Sequence, residues 1–438
     1  MLKIYNSLID KKEKFYSVES KKVNMYVCGP TVYDHLHIGN IRPLIFFDLV
    51  KKYFSLSGFE AYLVVNITDI DDKIIKKALD SGSSERQISQ QYIHYFFDLL
   101  SELEIKNIDK YPSVTQYMDQ IISFIGKLIE KGYTYELPEG IYFKTDLISS
   151  YGSLSNQNLK KLQKNVRKTI DSQKQNTEDF VLWKKTEDGI KYESPWFYGR
   201  PGWHTECVTM IQEIFQNTID IHGGGNDLKF PHHENEQSQF FAMNKKNISN
   251  FFMHVGRVDY QNDKMSKSLR NVVLAKDLLE KFGPNVIKLF FLYHNYMQPI
   301  EYSDKLMQNF KIKYDKIIYT LNKINFKLIL NKINSQQKDS FYIQQFFSLM
   351  SNNFDTPNIF TMLEELLKKI NKTLELHELA KLQNTFLYLL ECLNIFVTLK
   401  DITSKHIEIY NSWEKAKQNR DFEESDFLRN ILQKEQLI

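Results

Sequence analysis

The chain has 438 residues, of which 42% are hydrophobic and 25% charged, with a formal net charge of +3. That length exceeds one ordinary core and predicts two or three domains of a soluble globular protein. No run approaches the ~18 apolar residues of a membrane span, and the cysteines, Cys28, Cys207 and Cys392, are too few and too scattered for a disulfide framework.

The first ten residues lack the apolar core of a signal peptide. A reducing, cytoplasmic compartment is therefore expected, where distant thiols tend to be metal ligands or catalytic groups. The mild positive charge permits a nucleic-acid partner without arguing for one.

In chain order, residues 23–27 form a short β-prone run that ends in the turn signal Cys28-Gly29-Pro30. From Gly39 to about Leu56, apolar residues fall on one face and predict a helix. Residues 61–67 are a second strand candidate, so strand, turn, helix and strand predict a parallel α/β unit. Helices are expected over 84–103 and 114–131. A hairpin is expected around Leu137-Pro138-Glu139-Gly140, and the polar stretch 156–178 reads as an exposed or mobile insert. Residues 218–222 predict a strand ending in Gly223-Gly224-Gly225. A helix from His233 and a strand over 251–255 follow. Beyond Ala275 the pattern is almost wholly helical, with a boundary expected near Ser303. Four segments result: 1–132, an inserted region 133–199, 200–303 and a helical 304–438.

Zinc favours thiolate, imidazole and carboxylate donors, usually four. Cys28 follows a predicted strand, at the edge where open α/β sheets bind ligands. Cys207 lies in a second segment. In a helix starting near Pro231, His232 and Glu236 stand four apart on one face. These residues make a four-donor set without zinc-finger spacing, and small core cysteines with a helix-start histidine explain them as well.

Three further segments suit phosphate chemistry. His37-Ile38-Gly39-Asn40 runs from strand end to helix start, where an anion is favoured and His37 can donate. Lys264-Met265-Ser266-Lys267-Ser268 is a loop that can neutralise a triphosphate, or a solvated lysine loop. The three glycines before Asn226-Asp227 leave room for a nucleotide, or make only a tight turn.

Together these segments resemble the two signatures of class I aminoacyl-tRNA synthetases, and within that class the cysteinyl-tRNA synthetase family. The matching stretches are residues 25–34, 66–73, 199–207 and 221–236. The resemblance implies a Rossmann-type parallel-sheet catalytic domain split by an insertion, followed by an α-helical region that binds tRNA(Cys). It implies one zinc ion on Cys28, Cys207, His232 and Glu236. It gives catalytic roles to His37, Asn40, Lys264 and Lys267. ATP, with Mg2+, is placed on Gly39, Lys267, Gly224 and Asp227, and the cysteine pocket on Thr68 and Trp203. A monomer is implied. Asn40 stands where the wider class has a second histidine, and the family's short glycine- and tryptophan-containing tail has no counterpart before Ile438.

Lys305, Lys311, Lys313, Lys316, Lys323, Lys327 and Lys332 are dense in the helical region and suit RNA backbone contacts, or a solvated face. Three other activities share part of this pattern. They are a ligase joining cysteine to an amino-sugar, a zinc hydrolase using Glu234 or Glu236 as base, and a non-catalytic tRNA-binding relative.

Overall fold

The structure is a computed structural model that describes residues 1–156, 173–260, 263–265 and 272–438. Most of the expected insert at 156–178, and Ser266, Lys267 and Ser268 of the lysine loop, lie outside the described residues. The chain forms two compact units: Met1–Lys281 with Tyr296–Glu301, and Phe282–Asn295 with Tyr302–Ile438.

The first unit is built on a parallel sheet ordered Ser249–Val255, Ile219–Gly225, Lys22–Val27, Glu60–Val65. Its two central strands and Ser249–Val255 are buried along most of their length because helices cover the sheet. The helix Ile38–Leu56 supplies much of that cover, burying Ile41, Leu44, Phe47, Leu49 and Phe54 among others. It begins at Ile38 because His37 and Asn40 form a capping box, with His37 Nδ1 accepting the Gly39 N–H at 3.0 Å and Asn40 Oδ1 accepting the His37 N–H at 3.0 Å. Arg42 is buried in this helix and donates to the carbonyls of Gly256, Arg257 and Gln298. Burial pulls its guanidinium down to about 9.

Of the two readings of the three glycines, the tight turn is not what they form. Gly223, Gly224 and Gly225 are part of the strand Ile219–Gly225, and do not follow it. The reason is close packing. A Cβ on Gly223 would fall 2.1 Å from the Phe47 ring, so the glycine lets the helix seat against the sheet.

Residues between the two halves of this sheet form a separate antiparallel sheet, Thr134–Leu137, Gly140–Phe143, Phe180–Lys185 and Gly199–Pro201 in that order. Its first two strands are the expected hairpin. The helix expected over 114–131 starts as a 3-10 turn, Val114–Tyr117, and becomes α-helical over Met118–Glu130.

The second unit is helical: Pro284–Leu292, Asp304–Leu330, Ser340–Met350, Thr356–Lys372, Leu376–Cys392, Ser404–Gln418 and Phe422–Lys434. Cys392 is buried at the end of its helix. Of the dense lysines, Lys311 pairs with Asp315 at 2.5 Å and Lys313 with Glu364 at 2.7 Å. Lys305, Lys316, Lys323, Lys327 and Lys332 are exposed. Among the described residues, no helix is long and apolar enough to cross a membrane.

Candidate metal centre and its surroundings

Each donor of the expected set reaches one point from a different element. Cys28 is the residue after the strand Lys22–Val27, and its N–H donates to Gly223 O at 3.0 Å. Cys207 is in the second turn of the helix Trp203–Phe215. His232 lies in the π-turn Lys229–His233, and Glu236 in the first turn of Glu234–Asn244. The ligand atoms of Cys28, Cys207, His232 and Glu236 all lie within 4.8 Å of one another and are buried. The two sulfurs are 3.7 Å apart and both thiols are free. Cys28 Sγ is 3.4 Å from Glu236 Oε1, and His232 Nε2 is 2.7 Å from the same oxygen.

The electrostatics suit a cation. Burial pushes the Cys28 thiol up. Burial opposes Cys207 too, but the hydrogen bonds with Cys28 and His232 bring it down to about 7. Glu236 lies well below the usual carboxylate range despite burial, because His232 and His222 face it. His232 rises to about 10 against its burial, through Glu236. Two thiols, an imidazole and a carboxylate this close need protons or a metal between them. The soft and borderline donors fit zinc in number and type.

Other histidines surround the set. His204 Nδ1 is 3.0 Å from His232 Nδ1, and burial holds His204 down to about 3, so its ring is neutral. The Trp203 ring lies tilted against His232, with centroids 4.2 Å apart, and remains 39% exposed. His222 meets Glu236 on its second oxygen. His233 and His254 contact each other at 2.9 Å. Five of the eleven histidines thus gather here, from two strands, a helix and a turn. Only His232 was read as functional from the sequence; the signal was the density of histidine in 204–254, which needs strand pairing to be interpreted.

Thr68 is buried just beyond the strand Glu60–Val65. Its N–H donates to Pro30 O at 3.2 Å and its carbonyl accepts from Val32 at 3.1 Å, beside the Cys28 loop. Trp203 borders a cleft of about 360 Å³ that is also lined by His204, Glu206, Asp71, Asp72 and Arg200. Arg200 pairs with Asp72, and its Nη1 lacks a partner. These two residues were missed, although both sit in the segments that carried the family resemblance.

The phosphate candidates are partly brought together. The Ile38 N–H donates to Val273 O, and Ala275 N–H to Leu36 O, both at 2.9 Å. The residues following the lysine loop are thereby tied to the first signature. Lys264 is in the short strand Asp263–Lys264, paired to Val258–Tyr260. Asp227 is exposed in a 3-10 turn after the glycines. Gly224 lies within the strand Ile219–Gly225, close against Leu228 and His233. A Cβ there would fall 2.9 Å from Leu228 and 3.1 Å from His233. Glu234 faces away from the donors and accepts the backbone N–H groups of Gly152 at 2.9 Å and Ser155 at 2.8 Å. It cannot serve as the base of a hydrolase while so engaged.

Comparison with known proteins then decides the family. Residues 14–312 match the family described as tRNA synthetases class I (C) catalytic domain. The cysteine--tRNA ligase of Onion yellows phytoplasma (strain OY-M) is 48% identical over 432 residues, covering 99% of each chain. That of Acholeplasma laidlawii (strain PG-8A) is 45% identical with the same coverage.

The chain belongs to the cysteine--tRNA ligase family.

As a cysteine--tRNA ligase it is an enzyme, and tRNA, an amino acid and ATP are the partners this family implies. A more distant cysteine--tRNA ligase, from Shouchella clausii (strain KSM-K16), is 38% identical over 100% of this chain and 97% of its own. The fold extends to other class I synthetases. A solved Mycobacterium tuberculosis methionyl-tRNA synthetase superposes with TM-score 0.61 at 13% identity, over 85% of this chain and 90% of that one. A leucyl enzyme from Agrobacterium radiobacter K84 gives 0.65 at 9%, over 86% and 85%.

Proposed function

We propose that this chain activates cysteine with ATP, giving cysteinyl-adenylate and pyrophosphate, and then transfers the cysteinyl group to the 3′ end of tRNA(Cys). Cys28, Cys207, His232 and Glu236 would hold one zinc ion beside the amino-acid pocket. The observation that carries this reading is the convergence of those four buried donors at the carboxyl edge of the parallel sheet, next to Thr68 and Trp203.

Zinc bound there would supply a soft acceptor that favours a substrate thiolate over a hydroxyl. Thr68 and Trp203 line the pocket that orients cysteine, with the carboxylate directed at the α-phosphate. The chemistry asks for positioning and charge stabilisation more than for covalent steps. His37 is suited to this because its Nδ1 accepts the Gly39 N–H. A neutral ring then carries its proton on Nε2, which donates to a phosphate oxygen. Gly39, at the helix N-terminus, admits that anion closely, and Asn40 holds His37 in place. Lys264 and Lys267 neutralise the departing pyrophosphate, and Mg2+ accompanies ATP. Asp227, exposed beyond the glycine strand, is suited to the ATP ribose. The exposed lysines of Asp304–Leu330 suit the tRNA backbone. A cytoplasmic monomer is the form proposed.

The test is cysteine-dependent ATP–pyrophosphate exchange before and after zinc removal. Exchange should fall on chelation and return with zinc; exchange that survives complete metal loss sinks the zinc role. An apolar pocket alone rejects an isostere by roughly 10²-fold, so serine should support exchange at less than that fraction of the cysteine rate.

A further inference from the structure

We infer that the metal centre has a second position, bounded by Cys28, His222, His233 and Glu236, so that one ion has two overlapping four-donor sets sharing Cys28 and Glu236. This rests on the zinc reading above and deepens it. The ligand atoms of the second set also lie within 4.8 Å of one another; His222, His233 and Glu236 are buried and Cys28 is half-buried.

Glu236 divides its carboxylate between the sets. Oε1 faces His232 and Cys28, while Oε2 faces His222. His222 Nδ1 is 3.1 Å from the Tyr26 carbonyl, which can only accept. Nδ1 therefore donates to that carbonyl, which leaves Nε2 as the ring atom that meets the carboxylate oxygen. A ring nitrogen and a carboxylate oxygen in contact hold a proton or a cation between them.

His233 completes the set. Its Nε2 is buried and has no hydrogen-bond partner, while Nδ1 is 2.9 Å from His254 Nε2. His254 Nδ1 is anchored in turn 2.8 Å from Ser7 Oγ. That outer chain fixes the ring so that the unpartnered nitrogen faces the cluster, as second-layer partners do for metal-bound imidazoles. Gly224 keeps the place open, since a Cβ there would fall 3.3 Å from Nε2. The first set offers two thiolates, one imidazole and one carboxylate; the second offers one thiolate, two imidazoles and one carboxylate. Both suit a tetrahedral ion. An ion held by the second set instead of the first would keep Cys28 and Glu236 and exchange Cys207 and His232 for two imidazoles.

Cobalt(II) titration of the full-length, metal-free chain reads this directly, because thiolate-to-cobalt charge-transfer intensity counts the sulfurs bound. The unaltered chain should take one cobalt with a two-thiolate band. Cys207→Ser should still take one cobalt, with the band at about half intensity, and Cys207→Ser/His233→Ala should bind at least about a hundredfold more weakly. A Cys207→Ser chain that binds no cobalt, or whose binding ignores His233→Ala, overturns the second position while leaving the zinc reading intact. An unaltered chain that binds no cobalt overturns both. Should circular dichroism show Cys207→Ser unfolded, His232→Asn opens the first set from the other side. It should also show a one-thiolate band, and a retained two-thiolate band refutes the proposal.

Discussion

The Ile38 N–H donates to the Val273 carbonyl at 2.9 Å, which joins the start of the signature helix to the segment that follows the lysine loop. Two stretches of sequence more than two hundred residues apart are thereby held by backbone bonds, whatever their side chains do. The side chain at the junction, His37, caps the helix through Nδ1, and in the proposed reaction its Nε2 would donate to a phosphate.

Asparagine is as good a helix cap as any residue but cannot present a proton where Nε2 stands. His37→Asn should keep its urea midpoint, while His37→Ala should lose about 0.5–2 kcal/mol of stability. Both should lower ATP–pyrophosphate exchange by about 10²–10³-fold, as the loss of one charge-stabilising donor does. Full exchange in His37→Asn would leave His37 with the cap alone.

Glu234 is a structural clamp on residues 152–155, by the geometry of its two backbone bonds. Glu234→Ala should therefore destabilise the protein by about 1–3 kcal/mol for each stranded N–H. Metal content, measured by atomic absorption, should not change. Loss of metal with stability intact would place Glu234 among the ligands instead.

Gly223→Ala puts a methyl group into the Phe47 ring and should cost about 1–3 kcal/mol as overpacking. Phe47→Leu makes room. The double variant should be more stable than the sum of the two single losses predicts, a coupling that thermal melts of all four chains measure. Strict additivity would mean that the helix simply shifts away.

His254 gives a pH dependence. Burial, helped by the charges of Lys229 and His222, holds its ring down to about 3, below the ordinary value of 6.5. Between those values the unfolded chain binds a proton that the folded chain refuses, so stability rises with pH in that window and is lost as pH falls through it. The contribution reaches on the order of 2–3 kcal/mol by pH 4.5. Urea midpoints at pH 7 and pH 4.5 should drop less in His254→Asn than in the unaltered chain. Equal drops would show that other groups carry the acid sensitivity.

The legible part of this molecule is local. Residues 23–27 and 61–67 were readable as strands because they are short, apolar and bounded by turns, and the observed strands are Lys22–Val27 and Glu60–Val65. The pairing of His232 with Glu236 was readable because four residues of helix bring side chains onto one face. The glycine run leaves two readings open because the packing role of Gly223 lies in a partner, Phe47, more than 170 positions away.

Local sequence suffices for the helix faces, the thiolate, imidazole and carboxylate donors, and the segments that mark the family. Tertiary structure alone decided that His222, His233 and His254 would crowd the same carboxylate and that Arg200 would meet Asp72. The placing of His222 and His254 depends on parallel register, in which Phe252 lies opposite His222 and His254 opposite Gly224. Such register is set by the burial of whole strands and helices at once. Nothing in the local pattern around a single histidine carries that information.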